Sequence, residues 1–273
     1  MSHAAVPILK VDHLFYQYPT GQPALQDVSF SVAMNEVVGL VGPNGAGKTT
    51  LLQHLNGLLM GARRLPTQHG TAPAGEPQPH AVEVLGMPVT SPNLPEIRRV
   101  VGLLFQDPDD QLFCPTVGED VAFGPLNLGF PRDEVRRRVA EALDAVGLAG
   151  FESRVPQQLS FGERRRACLA GLLACEPNLL ALDEPSSNLD PRSRRRLIEL
   201  LRSCQSAQLI ASHDLELILE LCHRVILLDQ GRIHADGAPH EVLADAPLML
   251  AHGLEVPLSL QYGLEIGTHP GAG

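Results

Sequence analysis

The sequence predicts an α/β fold: a mostly parallel sheet core, an antiparallel β-subdomain, and an inserted α-helical subdomain. Two continuously apolar runs, Val37–Val41 and Leu179–Leu182, have the composition of strands buried on both faces. After residue 179, segments of helical period alternate with strand runs at 209–212 and 225–228, the pattern of a parallel sheet covered by helices. The first third reads as strands. Val28, Phe30 and Val32 alternate there with Ser29 and Ser31, as in a half-exposed strand.

After the strand at 37–41, a helix carries Leu51, Leu52 and Leu55. Residues 61–81 repeat Pro and Gly with almost no large apolar side chain and read as a surface loop or disordered insertion. Strand signals return at 81–85 and 100–105. A helix over 131–147 is marked by Pro131 and Asp133-Glu134 at its start and Gly147 at its stop, with Val135, Val139, Leu143 and Val146 on one face. A second helix follows Phe161-Gly162, with Leu169, Leu172 and Leu173 expected inward. The strand at 179–182, a helix around 191–203, the strand at 209–212, a helix to about 222 and the strand at 225–228 complete the rhythm. Asp229-Gln230-Gly231 then turns the chain back into 232–235. The helical block from about 107 to 160 breaks the alternation and reads as a separate subdomain. One domain is expected over 8–244, with a C-terminal tail over 245–273.

The chemistry starts at Gly42-Pro43-Asn44-Gly45-Ala46-Gly47-Lys48-Thr49-Thr50, between a buried strand and a helix. The glycines let successive backbone N–H groups face an anion, and the helix offers its positive end. Lys48 adds a point charge between the outer phosphates, and the Thr49 hydroxyl is a ligand for Mg²⁺. Lys10 and Lys48 are the only lysines in an arginine-preferring chain, so a compact ammonium is kept where it is needed. The stretch Gly42–Thr50 resembles the phosphate loop of P-loop NTPases, and that resemblance implies a RecA-like core.

Composition narrows the class. A net charge of −10 argues against nucleic-acid or anionic-lipid binding through the surface at large. The Arg triplets at 136–138, 164–166 and 194–196 lie beside acidic residues and read as solvated helix faces. No run of about 18 apolar residues is present to cross a bilayer, and the first residues lack a signal-peptide pattern. Five cysteines without a C-x-x-C pair suit free thiols in a reducing cytosol. The eleven histidines show no metal-ligand spacing.

A second constellation ends the strand at 179–182: Asp183-Glu184-Pro185. The first carboxylate is placed to hold Mg²⁺, the second to orient or deprotonate a water for attack on phosphorus. Between the two motifs stand Gln106 in LLFQDP and LSFGE at 159–163. Downstream stand SNLD at 187–190 and His213 in IASHD. This ordered set, from about residue 8 to 244, resembles the nucleotide-binding subunits of ATP-binding-cassette (ABC) transporters.

The resemblance implies a role for each matching position. Tyr18 corresponds to the aromatic that stacks on adenine, with Tyr16 as a rival and a core tyrosine as the plainer account of either. Gly42 to Thr50 hold the phosphates of ATP and, through Thr49, Mg²⁺. Gln106 touches the metal or the attacking water. Asp183 supports Mg²⁺, Glu184 acts on the water, and His213 contacts the γ-phosphate. Two subunits pair head to tail, so that Ser160, Gly162 and Glu163 of the signature helix and Asp190 of the D-loop serve the nucleotide of the facing subunit. The usual LSGGQ is altered here by Phe161 and Glu163. Phe161 is tolerated there if its side chain turns outward, and Glu163 is unfavourable near a triphosphate unless it pairs with an arginine among 164–166.

Residues 107–131 look like the energy-coupling-factor branch of uptake systems, especially its cobalt/nickel-type ATPases. There this segment forms a groove for a coupling helix of a membrane partner. Phe113, Pro115, Val117, Val121, Phe123 and Pro125 would line it, or pack the helical subdomain internally. The partners implied are a second ATPase copy or a related ATPase, a transmembrane coupling subunit and a substrate-binding membrane subunit, with no nucleic acid expected. The place implied is peripheral, on the cytoplasmic face of the cell membrane. A vitamin importer of the same class stays open, as does a soluble ABC ATPase acting on DNA or ribosomes, although neither a heptad run nor a second cassette is present. A guanine-reading NKxD motif is absent.

Overall fold

The computed structural model describes residues 6–60 and 81–263. In chain order the elements are β1 (Leu9–Gln17), β2 (Pro23–Val32), β3 (Val37–Val41), α1 (Lys48–Leu55), β4 (Val82–Val84), β5 (Met87–Pro88), α2 (Leu94–Val100) and β6 (Val101–Leu104). Then come α3 (Val117–Asn127), α4 (Arg132–Ala145), α5 (Phe161–Leu173), β7 (Leu179–Asp183), α6 (Pro191–Ser203), β8 (Ala207–Ala211) and α7 (Leu215–Leu221). The chain continues through β9 (Arg224–Asp229), β10 (Arg232–Gly237), α8 (Pro239–Ala244), α9 (Ala246–Ala251) and α10 (Leu258–Gln261).

Two sheets carry the fold. The larger has the order β10-β9-β3-β8-β7-β6. Strands β6, β7, β8, β3 and β9 run parallel, and β10 returns antiparallel along the edge. β7 and β8 are buried at every residue, which is why their sequences are apolar without alternation apart from Asp183 at the tip of β7 and Gln208 of β8, whose amide donates to the Leu201 carbonyl. The second sheet, β2-β1-β4-β5, is antiparallel, and Val28, Phe30 and Val32 of β2 face inward while Ser29 and Ser31 are exposed. The strand expected over 100–105 is found at Val101–Leu104, because Val100 closes the short helix α2.

Helices α3, α4 and α5 pack on one another. α4 buries Val135, Val139 and Leu143 on the expected face. α3 opens with a capping box in which Thr116 and Glu119 bond reciprocally. In α5 the inward face is offset from the expected one. Leu169 is buried, but Leu172 and Leu173 are only partly so, and Arg165, Ala167, Cys168 and Ala170 fill the interior. The helical block thus runs on past residue 160 through α5.

The insertion expected at 61–81 lies outside the described residues except for Ala81, which is buried and accepts a hydrogen bond from the Asp12 N–H at 2.8 Å. The segment after 244 is no loose tail as far as 263. Met249 of α9 is fully buried, and Leu248, Leu254, Val256 and Leu260 pack partly against the same core. Burying one methionine side chain is worth about 1.5–3 kcal/mol, enough to hold so short a segment when several contacts add up. The Ser259 N–H also donates to Glu216 of α7 at 3.0 Å. Residues 264–273 lie outside the described residues.

Candidate nucleotide site

The loop Gly42–Gly47 is shaped by what presses on it. Gly42 follows β3 at φ 152°, and a Cβ there would sit 1.9 Å from the Leu228 carbonyl oxygen. Gly47 opens α1 at φ 106°, with a would-be Cβ 2.6 Å from the Ala24 carbonyl oxygen. Glycine is therefore required by both conformation and contact. The Gly231 N–H donates to the Ala46 carbonyl at 2.9 Å, tying the β9–β10 turn to the loop. Pro43 is half-buried, Asn44 and Gly45 are exposed at the rim, and Ala46 is buried beneath them.

Lys48 is buried and folded over its own loop, Nζ donating to the carbonyls of Gly42 (2.6 Å) and Pro43 (3.0 Å). Burial lowers its pKa, while Glu184 and Asp183 pull the other way. A phosphate oxygen would give this ammonium an anionic acceptor in place of neutral carbonyls.

At the tip of β7, Asp183 accepts a hydrogen bond from the Thr49 hydroxyl at 2.6 Å. Burial raises its pKa, with the Thr49 hydrogen bond and Lys48 opposing. A hydroxyl and a buried carboxylate with incomplete charge compensation are the hard oxygen donors that suit Mg²⁺. Glu184 follows at φ 50°, a left-handed conformation that a non-glycine residue holds at some cost, and its N–H is fixed to the Ala211 carbonyl at 2.8 Å. Its carboxylate lies 2.6 Å from His213 Nδ1 and also accepts from the hydroxyls of Ser212 (3.3 Å) and Ser187 (3.4 Å).

Thr49, Gln106, Asp183 and His213 line one open cleft of about 800 Å³, with Ser187, Asn188 and Phe161. The Gln106 and His213 side chains are exposed to it. Tyr18 is separated from its rival: Tyr16 is buried and packs edge-on against His54, whereas Tyr18 is 36% exposed and bonds its hydroxyl to that of Thr50 at 2.8 Å.

The signature residues are placed elsewhere. Ser160 and Glu163 form a capping box on α5: Glu163 accepts from the Ser160 hydroxyl (2.7 Å) and N–H (2.8 Å). The first of these bonds, with the second, holds the Glu163 carboxyl below its ordinary pKa, and Arg166 and Arg154 add smaller attraction. The charge of Glu163 is thus met chiefly by its own helix start, rather than by Arg164–Arg166 as expected. Phe161 is half-buried along the open cleft. Gly162 is half-buried, with Leu189 beside it. Asp190 commits its carboxylate to the start of α6, accepting from the N–H groups of Arg192 and Ser193 and from the Ser193 hydroxyl.

The residue that sequence reasoning missed is Arg165. Read as part of a solvated triplet, it is only 2% exposed. Its guanidinium donates to the carbonyls of Phe105 (2.7 Å), Gln106, Asp183 (2.9 Å) and Glu184. One side chain of the signature helix therefore holds both the Gln106 loop and the end of β7. The only sequence signal was its position two residues after Glu163, on the face of α5 that also carries Leu169. The other triplets are mixed as well. Arg136 is solvated, but Arg138 is largely buried over the Phe130 ring, and Arg194 forms a bidentate pair with Asp214.

The arrangement matches known proteins. The ABC transporter family model matches residues 25–187. A Gloeobacter violaceus protein described only as an ABC transporter ATP-binding protein is 50% identical over 92% of this chain and 98% of its own length. The energy-coupling factor transporter ATP-binding protein EcfA of Methanothermobacter thermautotrophicus is 44% identical over 92% of this chain and 77% of its own. Among solved structures, cbiO1 of Clostridium perfringens, part of the ABC transporter complex cbiONQ, superposes with a TM-score of 0.73 at 32% identity, over 94% of this chain and 98% of that one. With a glycine-rich loop running into Thr49, an Asp-Glu strand end and a histidine bonded to that Glu, this chain belongs to the ABC transporter family, as an ATP-binding and ATP-hydrolysing subunit.

Proposed function

We propose that this chain is the ATPase of an energy-coupling-factor importer, with cobalt or nickel ions as cargo. The observation that carries the ATPase mechanism is the convergence of Thr49, Asp183 and His213 on one cleft, with Glu184 buried behind His213 and 2.6 Å from its Nδ1. The branch is supported by the EcfA and cbiO1 similarities, and the cargo by the resemblance of residues 107–131.

In this reading the N–H groups of Gly45 to Thr50 and the Lys48 ammonium cradle the phosphates, and the Tyr18 ring lies against adenine. Thr49 and Asp183 hold Mg²⁺, with Gln106 at its edge; when bound, the ion neutralises charge on the β- and γ-phosphate oxygens. Glu184 accepts a proton from the attacking water, and His213, beside it, stabilises the γ-phosphate. The bond between Glu184 and His213 orients both groups before substrate arrives. Ser160, Gly162, Glu163 and Asp190 act across a head-to-tail dimer, where the N-terminus of α5 faces the partner's γ-phosphate. ATP then holds the two subunits together, and its cleavage releases them.

The membrane partner is received by a narrower surface than the six residues expected. Val117, Val121 and Pro125 are buried and pack the helical subdomain. Phe113 and Phe123 stand outside, 63% and 48% exposed, their rings 4.9 Å apart edge to face, with Pro115 and Leu126 nearby in sequence and exposed. We assign this patch to the coupling helix of a transmembrane subunit. No helix among the described residues is long and apolar enough to cross a membrane. The test is co-expression with the membrane proteins of the same operon. Co-purification in detergent, lost in Phe113→Asp/Phe123→Asp with basal ATPase intact, supports the reading. Recovery without any membrane protein, as a DNA-stimulated ATPase, would overturn it. Uptake assays with labelled Co²⁺ and Ni²⁺ against vitamins decide the cargo.

A further inference from the structure

Away from the cleft, the fold brings together three metal-ligating side chains that no spacing in the chain announces. Asp229 ends β9, His234 lies on β10 and His252 follows α9. Their ligand atoms all lie within 4.8 Å of one another. His252 Nδ1 is 2.9 Å from Asp229 Oδ2, and the His234 and His252 rings are 4.1 Å apart at their centroids. The Asp229 and His252 side chains are only 16% and 15% exposed, while His234 is open to solvent and leaves a route in.

A single histidine–carboxylate hydrogen bond would suffice to dock α9. The imidazole of His234, stacked beside the first, places Nε2 3.2 Å from the Asp229 carbonyl oxygen and brings a second ring to the cluster, which docking α9 does not need. Among the described residues no lysine or arginine pairs with Asp229, so its charge is met by imidazole alone. Two ligands about 2.1 Å from an ion at the tetrahedral angle stand about 3.4 Å apart; Asp229 and His252, 2.9 Å apart, need open by only about half an ångström. Two imidazoles and one carboxylate select a borderline ion over Mg²⁺ or Ca²⁺, which take oxygen donors.

We propose that Asp229, His234 and His252 bind a late first-row divalent cation of the zinc, nickel or cobalt class, which clasps the C-terminal segment to the turn behind the phosphate loop. That turn is the one whose Gly231 N–H bonds Ala46. The site holds its ion whatever the transporter's cargo.

The test is Zn²⁺ titration of the full, untagged chain by calorimetry, with Mg²⁺ as competitor, beside His234→Ala and His252→Gln. His234 is exposed, so its removal leaves the fold in place even where His252→Gln does not. The expected result is one Zn²⁺ per chain, not displaced by Mg²⁺, with affinity weakened at least tenfold in His234→Ala, since losing even an outer-sphere partner costs about 10–100-fold. Zn²⁺ should also slow amide hydrogen exchange in residues 246–252 of the wild type and not of His234→Ala. The same isotherm in wild type and His234→Ala, or displacement by Mg²⁺, would overturn the site. Binding without slowed exchange would overturn the clasp.

Discussion

Replacing Arg165 by Met should damage catalysis far more than ATP binding. The guanidinium holds four backbone carbonyls, two on the Gln106 loop and two at the end of β7. Methionine fills much of the volume and accepts or donates nothing there. A buried acceptor left without its donor costs about 1–3 kcal/mol. If water reaches two of the four, the loss is about 2–6 kcal/mol. Relief of the buried charge, whose pKa desolvation already lowers, offsets part of it. A net destabilisation of about 3 kcal/mol is expected in urea unfolding. Glu184 loses the tie on its carbonyl, and misplacement by about 1 Å can cost about 10²-fold in rate. The phosphate loop keeps all its own bonds. We therefore expect kcat to fall about 10–100-fold, with the Kd for ATP changed less than about threefold, and Arg165→Lys to recover only part of kcat because one ammonium cannot span both loops. A variant with wild-type kcat and stability would refute the role of Arg165 as a positioning residue; equal losses in kcat and ATP affinity would show general unfolding of the site instead.

Glu184→Gln should keep ATP binding and lower turnover by about 10²–10⁴-fold, the loss of a positioned base, as read by steady-state hydrolysis and nucleotide-binding assays. Ser160→Arg, assayed in mixed dimers with one mutant subunit, should impair hydrolysis at the wild-type subunit's nucleotide site; damage confined to the mutant's own site would rule out the shared geometry. Glu163→Gln reports on the α5 cap. The Glu163 pKa is depressed in the folded chain, so its contribution to stability is present above its ordinary value of 4.5 and lost as pH falls through the folded value. Thermal melts of wild type and Glu163→Gln should therefore differ at pH 7, with wild type higher, and converge as the pH drops below 4.5. In the proposed head-to-tail dimer the same substitution would remove an anion from the partner's triphosphate site and should strengthen ATP-dependent dimerisation in light scattering.

Local chemistry made much of this protein legible from its residues alone. Gly42–Thr50 and Asp183-Glu184 are contiguous, and each follows an apolar run that only a buried parallel strand explains, so loop, helix start and carboxylate pair could be placed without coordinates. The amphipathic face of α4 was equally plain, since Val135, Val139 and Leu143 repeat at the helical period. Charge, by contrast, misled wherever burial decided its meaning. Arg164–Arg166 looks like one solvated run, yet successive helix positions point about 100° apart, and the middle arginine turns into the core against four carbonyls. The choice between Tyr16 and Tyr18, the inward turn of Val117 and Val121, and the docking of Met249 all depended on which neighbours the fold supplies. The meeting of Asp229, His234 and His252 did too. Sequence determines what a residue can do with the neighbours on its own turn or strand; contacts across the chain arise from packing, and only the folded structure could decide them.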